Sequence, residues 1–254
     1  MDPATRRDSP WWGVHASRYL FAQPFADQRR ILDVACGTGY GLALLAERGR
    51  AVVGADTDLD ALRTARAVGA PVGAHVVRSD ACRLPFRDGV WDIVTSFETI
   101  EHLRDRPAFV AEIRRVLVPG GVCVMSTPNA IYTQPIGGTP RNPFHAHEYE
   151  PREFGEELRR QFDDVELLGQ TLSARFLVSP FWDDQQRLPR TLRPQARLMT
   201  WRLLNRAPAA VRDRLSHAIW GHPLIPTEHD YEFSPARIDQ APVLVAVCRS
   251  ARVS

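Results

Sequence analysis

Short apolar runs alternate with amphipathic stretches along most of the 254 residues, and this alternation limits the fold more than any other feature. Runs typical of strands occupy residues 31–35, 51–55, 74–77, 91–96, 122–127, 165–168 and 242–248. Stretches with helical spacing lie at 42–47, 60–68, 107–117 and 151–162. Strands that alternate with helices indicate an α/β fold with a doubly wound, mainly parallel sheet. In such a sheet a ligand is expected at the carboxyl ends of the strands.

One long segment, residues 171–240, does not follow the alternation. It contains two helix-like stretches, 195–205 and 208–220. Prolines are expected to break the helical structure around them, and Pro194 is expected to end any helix before residue 195. A connection of this length is too long for a loop, so we expect a helical cap inserted before the last strand. One acid, Asp213, stands among eight cap arginines: Arg187, Arg190, Arg193, Arg197, Arg202, Arg206, Arg212 and Arg214. The predicted core domain, with an N-terminal helix as a lid, then comprises residues 1–170 and 241–254.

The composition excludes several classes of enzyme. All 32 basic residues are arginines, and the chain has no lysine. Schiff-base enzymes, P-loop phosphate sites and protein kinases all need a lysine. The four cysteines form no CxxC pair and no zinc spacing, so a reduced, cytoplasmic protein is expected. No apolar run approaches the ~18 residues of a membrane span, and the polar first ten residues are unlike a secretory signal.

A glycine-rich loop follows the first apolar run and reads Asp33-Val34-Ala35-Cys36-Gly37-Thr38-Gly39-Tyr40-Gly41. Glycines allow the backbone to pass close to a ligand, and the helix start behind them offers free N–H groups. A dinucleotide site requires the spacing GxGxxG, whereas this loop has GxGxG. The Asp33 carboxylate would repel a pyrophosphate but attract a cation. S-adenosylmethionine, which carries a sulfonium and an ammonium group, therefore suits this loop better than a dinucleotide.

Two further acids stand at the ends of the next two strands. Asp56, followed by Thr57, ends the second run, where an acid can accept hydrogen bonds from ribose hydroxyls. Asp80, followed by Ala81, comes after the third run, where an acid can accept a hydrogen bond from an adenine amino group. Each acid alone could be a helix cap or a solvated turn residue. Three acids at three successive strand ends favour a binding site for S-adenosylmethionine, called the donor below.

The order of these motifs resembles the class I S-adenosylmethionine-dependent methyltransferases. The resemblance rests on residues 31–39, 52–56, 80–86, 91–94 and 117–121. It implies a seven-stranded sheet whose last strand is antiparallel and lies beside the sixth, with S-adenosylmethionine as the cofactor. Ala35 stands where glycine is commoner in that family. The implied donor-binding residues are Tyr19 of the lid helix, Asp33, Ala35, Gly37, Gly39, Asp56, Thr57, Asp80, Ala81 and Phe97.

A second group of reactive side chains follows the fourth strand. Glu98, Glu101 and His102 have i, i+3, i+4 spacing, so on a helical turn they would share one face. Two carboxylates and an imidazole can bind a divalent metal ion. With a later histidine, this spacing resembles the metal-dependent small-RNA terminal 2′-O-methyltransferases. The alternative is that Glu101 and His102 only cap and pack the helix.

Two histidines, His145 and His147, follow the fifth strand within residues 142–149. In a parallel sheet they reach the same edge as the group after the fourth strand, and an imidazole can remove a hydroxyl proton near neutral pH. We expect one of them to be the catalytic base or to complete the metal site. Residues 97–102 and 142–149 together resemble bacterial methyltransferases of glycan and glycosylated natural-product pathways. That resemblance implies O-methylation of a sugar or of another small-molecule hydroxyl.

The expected partner is a small-molecule acceptor, either anionic or glycosylated. Enzymes that methylate exocyclic amines of DNA bases carry an Asp/Asn-Pro-Pro-aromatic motif after the fourth strand, and residues 97–100 here read Phe-Glu-Thr-Ile, so nucleic acid is not expected. The arginine-rich cap suits an anionic acceptor or peripheral contact with an anionic membrane, unless it is a solvated face without a role. N-methylation of an amino sugar, RNA 2′-O-methylation and a donor-binding subunit without activity are the alternatives.

Overall fold

A mixed sheet of eight strands organises the described part of the chain, residues 9–251 of a computed structural model. The strands are β1 (Arg30–Val34), β2 (Ala51–Asp56), β3 (His75–Arg78), β4 (Trp91–Phe97), β5 (Leu117–Pro128), β6 (Asp164–Leu172), β7 (Tyr231–Ser234) and β8 (Val243–Arg249). Their order is β3-β2-β1-β4-β5-β8-β6-β7. β1 to β5 pair in parallel, whereas β8 is antiparallel to both β5 and β6. The predicted α/β class, mainly parallel sheet and antiparallel last strand are confirmed.

The expectation of seven strands is wrong, because eight lie within residues 9–251. The additional strand, β7, has the sequence Tyr-Glu-Phe-Ser and falls inside the segment predicted to be a helical cap. Four residues of alternating polarity do not stand out as an apolar run. Pairing at the edge of the sheet therefore defines this strand where local periodicity does not.

Nine α-helices lie among the described residues. They are α1 (Pro10–Ala26), α2 (Tyr40–Ala46), α3 (Leu59–Gly69), α4 (Arg106–Val116), α5 (Ala130–Thr133), α6 (Pro151–Arg159), α7 (Trp182–Gln186), α8 (Leu192–Leu204) and α9 (Ala209–Trp220). Among them, α2, α3, α4 and α6 pack in the apolar clusters of the sheet. Side-chain caps begin three of the nine: Asp58, Asp105 and Asn129 accept hydrogen bonds from backbone N–H groups in the first turns of α3, α4 and α5. These caps fix where the chain turns from a strand end into the next helix.

The strand order reverses between β1 and β4. α2 and α3 pack in one apolar cluster, and α4 and α6 pack in the other. Almost every residue of β1 and β4 is buried, as expected for parallel strands covered on both faces. The carboxyl ends of β1 to β4 therefore share one edge at the reversal, where doubly wound sheets bind their ligands.

The described residues divide into two compact units. The first unit comprises the residues up to Ser17 and Leu172–Glu232, and its own core includes Leu198, Trp201 and Leu204. The second unit comprises Arg18–Thr171 and the residues from Phe233 onward. The predicted core domain, 1–170 with 241–254, and the polar N-terminal stretch both extend outside the described residues.

α8 begins at Leu192, three residues before the predicted stretch 195–205. Pro194 lies in its first turn, where a proline is tolerated because the missing N–H would have no partner within the helix. The interpretation of Pro194 as a helix break is therefore wrong.

All four cysteines lie within the described residues and are free thiols. Cys36, Cys123 and Cys248 are buried among apolar side chains. None of the helices in the described part of the chain is long and apolar enough to cross a membrane.

Candidate active site

The glycine-rich loop between β1 and α2 takes the left-handed backbone conformation three times. The φ angle is 59° at Ala35, 54° at Gly37 and 79° at Gly39. Glycine adopts such values freely, whereas a Cβ makes them unfavourable by about 1–2 kcal/mol. Ala35 therefore holds a strained position in which glycine would be unstrained.

Gly37 and Gly39 must be glycine for different reasons. A Cβ built on Gly39 would lie 2.6 Å from both Cα and Cβ of Ala65, so this glycine allows the start of α2 to pack on α3. A Cβ built on Gly37 would have no atom within 4 Å. Gly37 therefore presents bare backbone to open space, as close contact with a ligand needs.

Asp56, the last residue of β2, is bonded to this loop. Its Oδ2 accepts the N–H of Gly37 at 2.8 Å, and its Oδ1 accepts the N–H of Asp58 at 2.9 Å. Each carboxylate oxygen keeps a second lone pair for another donor. The neighbouring Thr57 is exposed, and its carbonyl accepts a hydrogen bond from Arg78.

Asp80 and Ala81 form a tight turn just after β3. The exposed carboxylate of Asp80 accepts the N–H of Cys82 at 2.8 Å, and Ala81 packs half-buried against the core. The structure thus places Asp33, Asp56 and Asp80 along one edge of three adjacent strands.

Asp33 is a buried carboxyl group within β1, only 1% exposed. Tyr19 donates its hydroxyl to Oδ2 at 3.1 Å, and Thr95 donates to Oδ1 at 2.7 Å. Burial raises the pKa of Asp33 to about 7, although these two hydrogen bonds oppose the shift. Thr95 is a residue that the sequence reasoning missed. Its neighbourhood follows from strand register, because Asp33 and Thr95 are partners in the β1–β4 pair.

Tyr19, the expected lid residue, lies in the core of the second unit beside Asp33. Its ring contacts Phe97 edge-on at 4.8 Å and Tyr40 at 5.4 Å between centroids. A Cβ on Gly41 would overlap this ring, because it would lie 2.0 Å from Cζ of Tyr19. Tyr19 therefore positions Asp33 and lines the site from within the folded core.

Replacing Asp33 by Asn is expected to flatten the pH dependence of stability. Because the folded-state pKa of about 7 exceeds the ordinary 3.8, the folded protein holds a proton that the unfolded chain releases. This contribution is fully present below pH ~4 and is lost as the pH rises toward ~7, by up to about 1.4 kcal/mol per pH unit. Urea unfolding at several pH values between about 5 and about 8 measures the slope in both proteins.

Tyr19→Phe serves as the control for this titration. Removal of the hydroxyl takes away a donor to the ionised carboxylate, so the loss of stability should move to higher pH. Equal slopes for the wild type and Asp33→Asn would contradict a raised pKa at Asp33.

The donor-side residues together fit S-adenosylmethionine. Asp56 offers acceptor positions to ribose hydroxyls, and a cation bound at the loop would favour the ionised form of the buried Asp33. The uncovered backbone at Gly37 provides the close approach that a bulky side chain would block.

Glu98 does not share a helical face with Glu101 and His102, contrary to the expectation. Its φ angle is 53°, and a 3-10 turn begins only at Ile100. The Glu98 carboxylate accepts the hydroxyl of Ser126 at 2.8 Å and pairs with the buried Arg18 at 3.3 Å. The prediction from the i, i+3, i+4 spacing is wrong because Glu98 itself has a left-handed backbone conformation and lies outside the turn.

Glu101, His102 and His145 form a cluster at the ends of β4 and β5. One ligand atom from each lies within 4.8 Å of the other two. Glu101 is fully buried; its Oε2 accepts the Thr127 hydroxyl at 3.0 Å, whereas its Oε1 has no hydrogen-bond partner among the described residues. Burial raises the pKa of Glu101 well above its ordinary value, and the charge of Glu98 adds to this shift.

The two candidate base histidines differ in their surroundings. Nδ1 of His145 lies 2.7 Å from Glu148, whose carboxylate is buried and also accepts the hydroxyl of Thr133. His147 lies 2.7 Å from Glu153, which is about half exposed. His145 is therefore a histidine oriented by a buried carboxylate. Glu148 escaped the sequence reasoning, although its i+3 spacing from His145 was a usable signal.

Sequence matches agree with this geometry. Residues 32–125 match the family model for a methyltransferase domain. A Mycolicibacterium smegmatis protein named a probable S-adenosylmethionine-dependent methyltransferase is 37% identical over 164 residues, which are 65% of this chain and 63% of that protein. A demethylmenaquinone methyltransferase of Corynebacterium kroppenstedtii is 36% identical over 113 residues, 41% of this chain and 48% of that protein. The chain thus spans about half to 63% of the length of these curated relatives.

Solved structures share the fold at low identity. An S-adenosylmethionine-dependent methyltransferase from Mesorhizobium loti has a TM-score of 0.54 and 18% identity, over 94% of this chain and 96% of that chain. The cyclase SpnF has a TM-score of 0.59 and 18% identity, over 100% of this chain and 86% of that chain. The sheet, the glycine loop and the acids at adjacent strand ends agree with these matches: residues 32–125 match a methyltransferase domain, and 65% of the chain is similar to a probable S-adenosylmethionine-dependent methyltransferase.

Proposed function

We propose that this protein transfers a methyl group from S-adenosylmethionine to a hydroxyl oxygen of a sugar or glycosylated small molecule. The observation that carries the proposal is the pair of His145 and buried Glu148, 2.7 Å apart, at the edge where the donor residues also lie. An O-methyltransferase gains from such a base, because a hydroxyl is a poor nucleophile until its proton is removed.

The donor side is built from Asp33, Asp56, Asp80 and the backbone at Gly37, which would bind S-adenosylmethionine. When bound, this cofactor supplies an electrophilic methyl group on a sulfonium. The chain positions the donor through fixed side chains: Tyr19 and Thr95 hold Asp33, and the Gly37 N–H holds Asp56. Much of the rate enhancement in such a displacement comes from positioning.

The acceptor side handles one proton. Nδ1 of His145 donates to Glu148, and Nε2, which lies 2.9 Å from Nδ2 of Asn142, is the nitrogen that would exchange this amide donor for the hydroxyl of an acceptor. As an acceptor hydroxyl took the methyl group, its proton would move to Nε2 of His145. Glu148 stabilises the resulting imidazolium by charge and by hydrogen bonding.

The choice of a sugar-like acceptor rests on the resemblance of residues 97–102 and 142–149 to glycan and natural-product methyltransferases. The polar groups of His102, His145 and Asn142 converge there, with Nδ2 of Asn142 2.9 Å from Nε2 of His145. Hydroxyl-rich acceptors suit such a lining, because their hydroxyls can replace the hydrogen bonds that these polar side chains lose with water when the acceptor binds.

Calorimetry and a labelled-methyl assay test the proposal together. We expect the full chain to bind S-adenosylmethionine and to transfer labelled methyl to glycosides, but not to the matching deoxy compounds. Transfer to amino sugars alone would replace O-methylation by N-methylation. Binding without transfer to any acceptor would favour a donor-binding protein, and SpnF, a cyclase of this fold, shows that the fold serves other chemistry.

A second candidate, metal-assisted O-methylation, is favoured by the cluster of Glu101, His102 and His145. Oε1 of buried Glu101 has no hydrogen bond among the described residues and lies 3.9 Å from Nε2 of His102, so a cation held between them would satisfy both atoms. Nδ1 of His102 lies 2.9 Å from the Phe144 carbonyl and Nδ1 of His145 lies beside Glu148, an anchoring typical of metal-bound imidazoles. Two imidazoles and a carboxylate suit Zn²⁺, Fe²⁺ or Mn²⁺.

Titration of the chelator-treated protein with Zn²⁺ and Mn²⁺ separates this candidate from the first. Stoichiometric binding that Glu101→Gln abolishes, together with activity restored by added metal, would support a metal site. Full activity in the presence of a chelator would leave His145 as a metal-free base.

A further inference from the structure

Helix α8 of the first unit carries apolar side chains on two opposite sides. Leu198, Trp201 and Leu204 are buried and form the core of that unit with Val178 and Leu224. This side accounts for the folding of the helix. The apolar residues on its other side have no such role.

The outward side of α8 is an exposed apolar stripe, defined by Leu192, Ala196, Met199 and Leu203. The spacing i, i+4, i+7, i+11 places the four residues in one row along the helix. Leu192 is 90% exposed, Met199 is 65% exposed and Leu203 is 69% exposed. A row of large apolar side chains in water is unfavourable unless something covers it.

Arginines flank the α8 stripe on both sides. Measured at 100° per residue from the middle of the row, Arg193 lies about 90° to one side and Arg202 about 90° to the other, whereas Arg197 lies about 130° away; Arg206 follows just beyond the helix. All four are exposed. The Arg202 guanidinium also lies 5.5 Å from the ring centre of Trp182, which is itself 63% exposed.

The charge around the stripe has one sign. Between residues 187 and 214 the chain has eight arginines and one acid, Asp213, which is paired with Arg212 at 2.9 Å. A second helix of the same unit, α9, adds exposed apolar residues at i, i+4, i+8 spacing: Val211, Leu215 and Ile219. The apolar rows therefore accompany a net charge of +7 over residues 187–214, eight arginines less one acid.

We propose that this surface, the α8 stripe with its flanking arginines, docks the protein on an anionic phospholipid membrane. Leucine and methionine would enter the acyl boundary, while the arginine stems lie along it and the guanidinium groups reach the phosphates. A second copy of the same face is disfavoured, because it would bring like charges together. A nucleic acid would use the arginines but would leave the apolar stripe in water.

Flotation of the full chain with phospholipid vesicles tests this surface. We expect binding to vesicles that contain phosphatidylglycerol and little binding to vesicles of phosphatidylcholine alone. Raising the salt from about 0.1 M to about 1 M shortens the screening length from about 10 Å to about 3 Å and should weaken binding. Arg193→Gln with Arg197→Gln should lower the partition coefficient by about 30-fold.

Two further variants separate the apolar and charge contributions. Met199→Ser with Leu203→Ser removes the outward apolar row without touching the buried side, and should lower binding by about 100-fold. The matched control is Arg152→Gln with Arg160→Gln near α6, which changes the net charge equally and should bind like the wild type. Thermal unfolding confirms that each variant is folded.

Several results would overturn the proposal. These are no vesicle binding by the wild type, equal binding to neutral and anionic vesicles, or equal loss in the Arg152/Arg160 control. Light scattering that shows an oligomer, lost in the Met199/Leu203 variant and without vesicle binding, would assign the stripe to a protein interface instead.

Discussion

Changing His145 to Ala is expected to lower kcat for methyl transfer by about 10²–10⁴-fold, the usual contribution of a positioned general base. The Kd for S-adenosylmethionine should change by no more than about twofold, because His145 belongs to the acceptor side and not to the glycine loop. Single-turnover transfer of labelled methyl to an identified acceptor measures the rate, and calorimetry measures donor affinity.

His147→Ala is the matched control, two residues away on the same segment. The ring of His147 contacts Glu153, which is about half exposed. Because His147→Ala removes only this exposed pair, the variant should keep most of the activity. A severe loss in His147→Ala with normal turnover in His145→Ala would contradict the assignment of the base. Comparable losses in both variants would point to the segment 142–149 as a whole, and not to one base.

Glu148 is a positioning residue in this scheme, and Glu148→Gln distinguishes that role from simple packing. The amide keeps the size of the side chain and its contact with Thr133 but loses the charge. Beyond a lower kcat, Glu148→Gln should leave the Kd for S-adenosylmethionine within about twofold of the wild type, and Glu148→Asp, which restores the charge, should recover part of kcat. A purely structural role would lower stability and leave the kcat of the folded variant unchanged.

The sequence predicted the elements of the fold correctly where apolar runs and amphipathic stretches alternate regularly. Apolar runs such as 31–35 and 122–127 became parallel strands because apolar side chains are needed on both faces of a covered sheet. β7 could not be predicted in this way, because four residues of mixed polarity pair with the sheet for reasons set by the rest of the chain. Pro194 was misread because its effect depends on its place in the helix.

The donor side was accessible to sequence reasoning because position along a strand is enough to place an acid at an edge. The partners of those acids were not, since Thr95 meets Asp33 only through the register of two strands far apart in the chain. Glu98 shows the opposite failure. Its spacing suggested a helical face, but a φ angle of 53° turned it toward Ser126 and Arg18.

Two alanine substitutions in the glycine loop are expected to have separate effects. Gly39→Ala should lower the free energy of unfolding by about 2–5 kcal/mol, since a left-handed φ costs about 1–2 kcal/mol and a Cβ 2.6 Å from Ala65 adds overpacking. Gly37→Ala carries only the φ cost, because its Cβ would meet no atom within 4 Å. Its larger effect should fall on donor binding, where a methyl group would occupy the ligand's approach and raise Kd by about 10–100-fold, about 1.4 kcal/mol for each tenfold step.

Gly89→Ala provides the matched control for Gly37→Ala. Gly89 has a φ angle of 63°, and a Cβ there also meets nothing within 4 Å, but it lies in the turn before β4, at the opposite edge of the sheet. Both variants should lose about the same stability in urea unfolding, and only Gly37→Ala should lose affinity for S-adenosylmethionine in calorimetry. If Gly37→Ala binds the donor as Gly89→Ala does, the loop does not approach the ligand at Gly37. If Gly39→Ala is as stable as Gly37→Ala, the close packing of Gly39 on α3 does not contribute to stability. The left-handed φ angle would then be the only reason for glycine at both positions.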